Sequence, residues 1–170
     1  MRRLAFCVSM GLLAAVSLSG GLRAQAQSKD EQQIRALEDK FAAAFNAKDV
    51  DAIMKVYVPG NELLVFDASV PRQYAGWDAY KKDWQDFVAM MKGPCTFDLK
   101  DLSIVAEGKI AYSHSIQHVT FTMTDGTPVD FIVRVTDVHR KIDGKWLIVH
   151  EHVSVPIDFA TGKPDLMSKP

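Results

Sequence analysis

An α+β domain, with helices first and a bent antiparallel meander afterwards, is what this 170-residue sequence predicts. Two observations carry the prediction. Apolar residues recur at helical spacing from Ile34 to Met91, and beyond Gly93-Pro94 the period changes to alternation. The dipeptides Glu107-Gly108, Asp125-Gly126 and Asp143-Gly144 then divide the alternating region into strand-length runs, so consecutive strands should be antiparallel neighbours.

The first helix opens at Ser28-Lys29-Asp30-Glu31, which has capping-box spacing, and its stripe of Ile34, Leu37, Phe41 and Phe45 runs to about Ala47. Asp49 caps a shorter helix that turns Ile53, Met54 and Tyr57 inward and stops at Pro59-Gly60. Glu62 to Phe66 favours a strand. A loop with Pro71 and Gly76 leads to a third helix whose apolar face is Tyr80, Trp84, Phe87, Val88 and Met91. The meander strands are expected at Thr96–Val105, Lys109–Met123, Val129–Arg140 and Lys145–Val155. Residues 158–170, with Gly162 and Pro164, read as a loose arm after a single domain spanning 27–157.

Residues 1–26 read as an export signal. Arg2 and Arg3 precede an apolar run from Leu4 to Leu18, and Ala24-Gln25-Ala26 has the small-x-small form cut by signal peptidase. Ser9, Gly11 and Ser17 interrupt a run already short for a bilayer, so export to the periplasm or medium is expected rather than anchoring, with no later membrane span. The whole chain carries a formal charge of −1, and losing Arg2, Arg3 and Arg23 makes it more acidic. Without a basic cluster, nucleic acid and anionic lipid are poor partners. Cys7 leaves with the signal, and Cys95 alone forms no internal disulfide.

Turn geometry decides which polar residues look inward. If Asp125-Gly126 is a two-residue turn, His114 faces Asp137, and Tyr112, His114, Ile116 and His118 share a face with Val133, Val135 and Asp137. An imidazole beside a carboxylate can serve as a base with its orienting acid, or as a structural ion pair. For Asp143-Gly144 two registers stand. A two-residue turn brings His150 and His152 inward. A bulged three-residue turn brings Leu147, Val149, Glu151 and Val153 inward, and is favoured because it lays apolar residues beside apolar ones. His150 and His152 sit about 7 Å apart on one strand face, a spacing that suits two ligands of one metal, but no third ligand is evident and no metal or cofactor is expected.

The order of Phe41-Ala42-Ala43-Ala44-Phe45-Asn46-Ala47-Lys48-Asp49, then Phe66-Asp67, Gly76-Trp77-Asp78-Ala79-Tyr80 and a long meander resembles the nuclear transport factor 2-like, or SnoaL-like, superfamily. The second half is most similar to the association domain of calcium/calmodulin-dependent protein kinase II. The matching residues are Ala111-Tyr112, Gln117, Thr136, Val138, Asp143-Gly144-Lys145-Trp146-Leu147, Val149-His150, His152 and Ser154. The resemblance implies a cone-shaped roll, a strongly bent antiparallel sheet wrapped around three helices over a deep pocket, assembled as a dimer or larger ring through the sheet. The basic residues of that domain's pocket fall on Tyr80, His114 and Asp137, so its anionic ligand is not implied. Ketosteroid isomerase, another member, has its catalytic aspartate where this chain has Asp67, and a second acid near Asp137. Its enolate-binding tyrosine falls on Phe41, which has no hydrogen to donate.

These readings make the expected protein a small-molecule binder with a mostly apolar pocket, or an isomerase- or lyase-type proton-transfer catalyst. Asp67 is the candidate base, His114 with Asp137 the polariser or relay, and Tyr80, Trp84 and Glu151 the pocket residues. Asp67 could equally be a turn cap leading to Pro71. The different-class alternative is a non-catalytic assembly module.

Overall fold

The computed structural model describes residues 27–167, so the expected export signal lies outside the described residues. Helix α1 spans Lys29–Ala47, α2 Val50–Ile53 and α3 Trp77–Ala89. Strands β1 (Leu64–Phe66), β2 (Tyr74–Ala75), β3 (Met91–Glu107), β4 (Ile110–Met123), β5 (Pro128–Ile142) and β6 (Lys145–Ser154) form one sheet in the order β2-β1-β6-β5-β4-β3. It is antiparallel except where β1 runs parallel to β6, so the sheet is mixed. No helix among the described residues is long and apolar enough to cross a membrane.

Local chemistry explains the helix ends. Ser28 and Glu31 form the reciprocal capping box, and Asp49 accepts the Ala52 N–H at 2.9 Å. The α1 stripe packs Ile34, Leu37, Phe41 and Phe45 into the core with Val65, Phe97 and Ile148. Register shifts at Lys92/Thr96 and Lys100/Ser103 in β3 and at Val138/His139 opposite β6 curl the sheet around α1.

The turns set a different register from the one expected. Between β4 and β5 the Met123 N–H donates to the Thr127 carbonyl and the Gly126 N–H to the Met123 carbonyl, leaving a three-residue loop with Gly126 at φ 93. That extra residue shifts the pairing by one, and a one-residue slip exchanges the two faces of a strand. Ser113, not His114, pairs with Asp137. His114 pairs with Thr136 and is exposed on the outer face, alongside Tyr112, while Ser113, Ser115, Gln117 and Val119 are buried.

At the last turn Asp143 (φ 49) and Gly144 (φ 79) form the two-residue turn, pairing Ile142 with Lys145 and burying Trp146 and Ile148. A bulge at Val149 then restores the other phase, so Glu151 pairs with Asp137 and Val153 with Val135. The first half follows the two-residue register, while the second has the inward phase of the bulged one, Glu151 and Val153, with partners that neither register gave. His150 and His152 face outward, each edge-on to the Phe66 ring.

The arm read as loose carries a small hairpin, β7 (Ile157–Asp158) with β8 (Lys163–Pro164). It is tied back to the sheet where the Ile132 N–H donates to the Leu166 carbonyl at 2.8 Å.

Candidate active site

A cavity of about 570 Å³ opens between α1, α3 and the concave face of the sheet. Its apolar wall is aromatic: Trp84 packs edge-on against Phe41 and Phe45, with centroids 5.7 and 5.6 Å apart. The Trp84 indole Nε1 is buried and has no hydrogen-bond partner among the described residues.

The polar wall arises from elements far apart in sequence. Asp67 follows the last residue of β1, Tyr80 lies on the first turns of α3, and Glu151 sits on β6, where Val65 is its parallel partner. Tyr57 is brought beside β6 by a bridge to Ile148 and by the Val58 N–H donating to the Ile148 carbonyl. The Tyr57 hydroxyl donates to Glu151 Oε2 at 2.8 Å, and the Tyr80 hydroxyl donates to Glu151 Oε1 at 2.6 Å. Tyr80 also lies 3.4 Å from Asp67 Oδ2, so a single hydroxyl bridges two carboxyl groups. The other Asp67 oxygen accepts the Ser69 N–H at 3.1 Å, so the turn cap and the cavity position belong to the same side chain.

Behind Glu151 lies a second polar group sealed from solvent. Asp137 is its cross-strand neighbour, Ser113 lies beyond on β4, His139 is two residues along β5, and Glu38 reaches in from α1. The Ser113 hydroxyl is 2.9 Å from His139 Nε2, and Glu38 Oε1 is 3.6 Å from the same nitrogen. Ligand atoms of Glu38, Asp137 and His139 fall within 4.8 Å of one another.

Burial governs the protonation of both groups. It pushes Glu38 up to about 8, with the charges of Glu151 and Asp39 adding to it. It also holds Asp137 well above the usual carboxylate range, reinforced by Glu38 and Glu151. Glu151 is raised to about 7 by burial, against the lowering pull of the Tyr80 and Tyr57 hydrogen bonds. Burial drops His139 to about 4, so the ring is neutral near neutral pH. The acids at the back are therefore protonated, and Asp137 hydrogen-bonds to Glu151. Glu151 is left with a proton affinity matched to neutral pH, the condition under which one carboxyl can act as acid or base. Tyr57 and Tyr80 are pushed far up by burial first and the Glu151 charge second, and stay as donors.

Residues 34–158 match the model of the SnoaL-like domain. The chain belongs to the SnoaL-like family. Among solved structures, a nuclear transport factor 2-like protein of unknown function from Pseudomonas putida is 30% identical, covers 83% of this chain and 96% of its own, and superposes with a TM-score of 0.74. A putative calcium/calmodulin-dependent protein kinase II association domain from Xanthomonas campestris is 21% identical over 76% of this chain and 89% of its own, with a TM-score of 0.64. A putative dehydratase of the nuclear transport factor 2-like family from Streptomyces avermitilis is 15% identical over 74% and 95%, with a TM-score of 0.65. The last two show the shared fold. A search of curated proteins returns no match.

Within the SnoaL-like cone, Asp67, Tyr80, Trp84 and Glu151 all line the cavity. Asp137 does not; it is 2% exposed and lies behind Glu151. His114 is on the far side of the sheet, so the His114–Asp137 relay does not exist in this fold, for the reason of turn length given above. His150 Nδ1 donates to the Leu64 carbonyl at 2.8 Å, which makes that ring a tie between β6 and β1. Glu38, Ser113 and His139 were not legible as site neighbours by motif. A signal did exist, since Glu38 interrupts the apolar stripe between Ile34 and Phe41, and His139 shares the strand face of Asp137.

Proposed function

We propose that this protein binds a small, uncharged, mostly apolar molecule bearing a carbonyl group and moves a proton on it, in an isomerase- or lyase-type reaction. The observation that carries the reading is the pair of carboxyl groups, Asp67 and Glu151, bridged by the Tyr80 hydroxyl at the edge of an aromatic cavity. The cavity lining includes Asp67, Asp83, Asp86 and Glu151 and, among the described residues, no lysine, arginine or histidine. An anionic substrate would meet only like charge there. The likeness to a putative dehydratase is in keeping with this reading.

Asp67 takes the proton from the carbon beside the carbonyl. The C–H electron pair moves into the carbon framework, and protonated Glu151 delivers its proton to the carbonyl oxygen, giving an enol. When Glu151 carries its proton, the Tyr80 hydroxyl turns to Asp67 Oδ2, and when Glu151 is ionised it turns back. Return of the Asp67 proton to another carbon, with the enol O–H proton going back to Glu151, gives isomerisation; departure of a leaving group with its bonding pair and the Asp67 proton, again with the O–H proton going back to Glu151, gives elimination. We place the protein outside the cytoplasm, on the strength of Arg2, Arg3, the apolar run and Ala24-Gln25-Ala26.

The test is deuterium exchange next to the carbonyl of apolar ketones, followed by proton NMR. The native protein should accelerate exchange with a pH profile bending near 7, and Asp67→Asn should lower the rate by about a hundredfold or more. No exchange with any ketone in a broad panel would overturn the catalytic reading.

A second reading has its own observation. Val105, Ile110 and Tyr112 are 46, 53 and 48% exposed and adjoin one another on the outer face of β3 and β4. Such a patch suits a homo-oligomer formed through the sheet. Light scattering showing a stable oligomer that binds no ketone would favour an assembly module over a catalyst.

A further inference from the structure

We propose that the C-terminal arm contributes Pro164 and Leu166 to the ligand site, where they form the subsite for the hydrocarbon end of the ligand. This inference rests on the cavity being a ligand site. The match to the family domain ends at residue 158, yet Pro164 and Leu166 line the cavity.

The attachment follows from strand chemistry. Strand β6 pairs with β5 only as far as Ser154 with Arg134, and Pro156 then lacks the N–H that a longer ladder would need. The next β5 donors on that side would be unpaired. The Ile132 N–H is taken up by the Leu166 carbonyl at 2.8 Å, and the Asp165 N–H donates to the Pro156 carbonyl at 2.8 Å. The arm thus replaces the missing end of β6 and carries Leu166 to the cavity mouth, where it stays 38% exposed.

The two ends of the cavity differ in kind. Glu151 lies level with Asp137 on β5, whereas Leu166 is held level with Ile132. Five strand residues separate those levels, roughly 17 Å. The inward residues between them are Val135, which is buried, and Val133, which lines the cavity together with Val153. A ligand whose carbonyl sits between Asp67 and Glu151 therefore extends over apolar wall towards Leu166 and Pro164. The chemistry that fits is an uncharged hydrocarbon chain or fused ring, and the arm sets the length that is still covered.

The experiment is calorimetric titration of the full mature chain with linear methyl ketones of increasing length. Affinity should rise about fourfold per added methylene until the chain passes the arm. Leu166→Asp should weaken the longest ketones about tenfold and leave the shortest unchanged, because only the long chains reach it. Phe159→Asp, on the same arm but 96% exposed, should leave the whole series unchanged. Equal loss for short and long ketones in Leu166→Asp, or none at all, would overturn the subsite while leaving the binding reading intact. Failure of the native protein to bind any ketone would overturn both.

Discussion

The two acidic groups of this cone have the same ingredients and opposite character. At the cavity, Asp67 and Glu151 share the hydroxyl of Tyr80 and lie within reach of a ligand. Behind it, Asp137 and Glu38 lie beside a neutral histidine in a region sealed by Trp146, Ile148 and α1. Carboxyl groups at the back keep their protons because burial and mutual repulsion outweigh the Ser113 hydroxyl, the donor within their reach. Glu151 sits between the two conditions, and its two tyrosine donors bring its proton affinity near neutrality. The balance of burial against donors, more than residue type, separates a carboxyl that titrates near neutrality from one that stays protonated.

The largest test of that contrast is in stability. Glu38 has an ordinary value of 4.5 and a folded value of about 8, so the folded state holds a proton that the unfolded chain has released between those pH values. Its contribution is complete below pH 4.5 and is lost as pH rises through about 8. His139 acts the other way: its folded value of about 4 lies below 6.5, so its contribution is complete above pH 6.5 and lost as pH falls towards 4. Above pH 6.5 the buried acids alone set the slope, and urea unfolding should show stability falling from pH 6.5 to 8. Glu38→Gln should flatten that fall by about 1.4 kcal/mol per pH unit for each proton no longer titrating. An unchanged slope would mean that Glu38 is not protonated in the fold.

A smaller effect is expected at the boundary. Tyr57→Phe removes one of the two hydroxyl donors to Glu151, so the Glu151 value should rise from about 7 by about one unit. Carboxyl chemical shifts through a pH titration would show it, and a downward move would reverse the roles given to the tyrosines. The smallest effect belongs to the outer face. His114→Ala should alter stability by less than about 0.5 kcal/mol and leave ketone exchange untouched. A large loss of exchange would return His114 to the site.

Much of this arrangement was written in local signals. Ser28, Glu31 and Asp49 announce their helices through capping chemistry, whereas Asp143-Gly144 marks a turn without fixing its length, and the two-residue form stands where the bulged one was favoured. Asp67, Tyr80, Trp84 and Glu151 were legible as cavity residues, the first by likeness to a catalytic position and Glu151 by the favoured strand phase. The face of β4 was not legible, because Asp125-Gly126 suits a two-residue loop and a bulged one alike, and the difference exchanges Ser113 with His114. Nor was the bulge at Val149. It lies where β6 takes up β1 as a parallel partner, a contact between segments far apart in sequence.

That parallel contact has a bearing on how the molecule is assembled. Leu64 and His150 are 86 residues apart, and three residues of β1 on β6 set Asp67 near Glu151. Neither half of the polypeptide holds both acids, so a nascent chain or a proteolytic fragment that stops short of β6 lacks the Tyr80-bridged pair. Under the proposed reaction, turnover requires that synthesis has passed β6 and that β1 has met it.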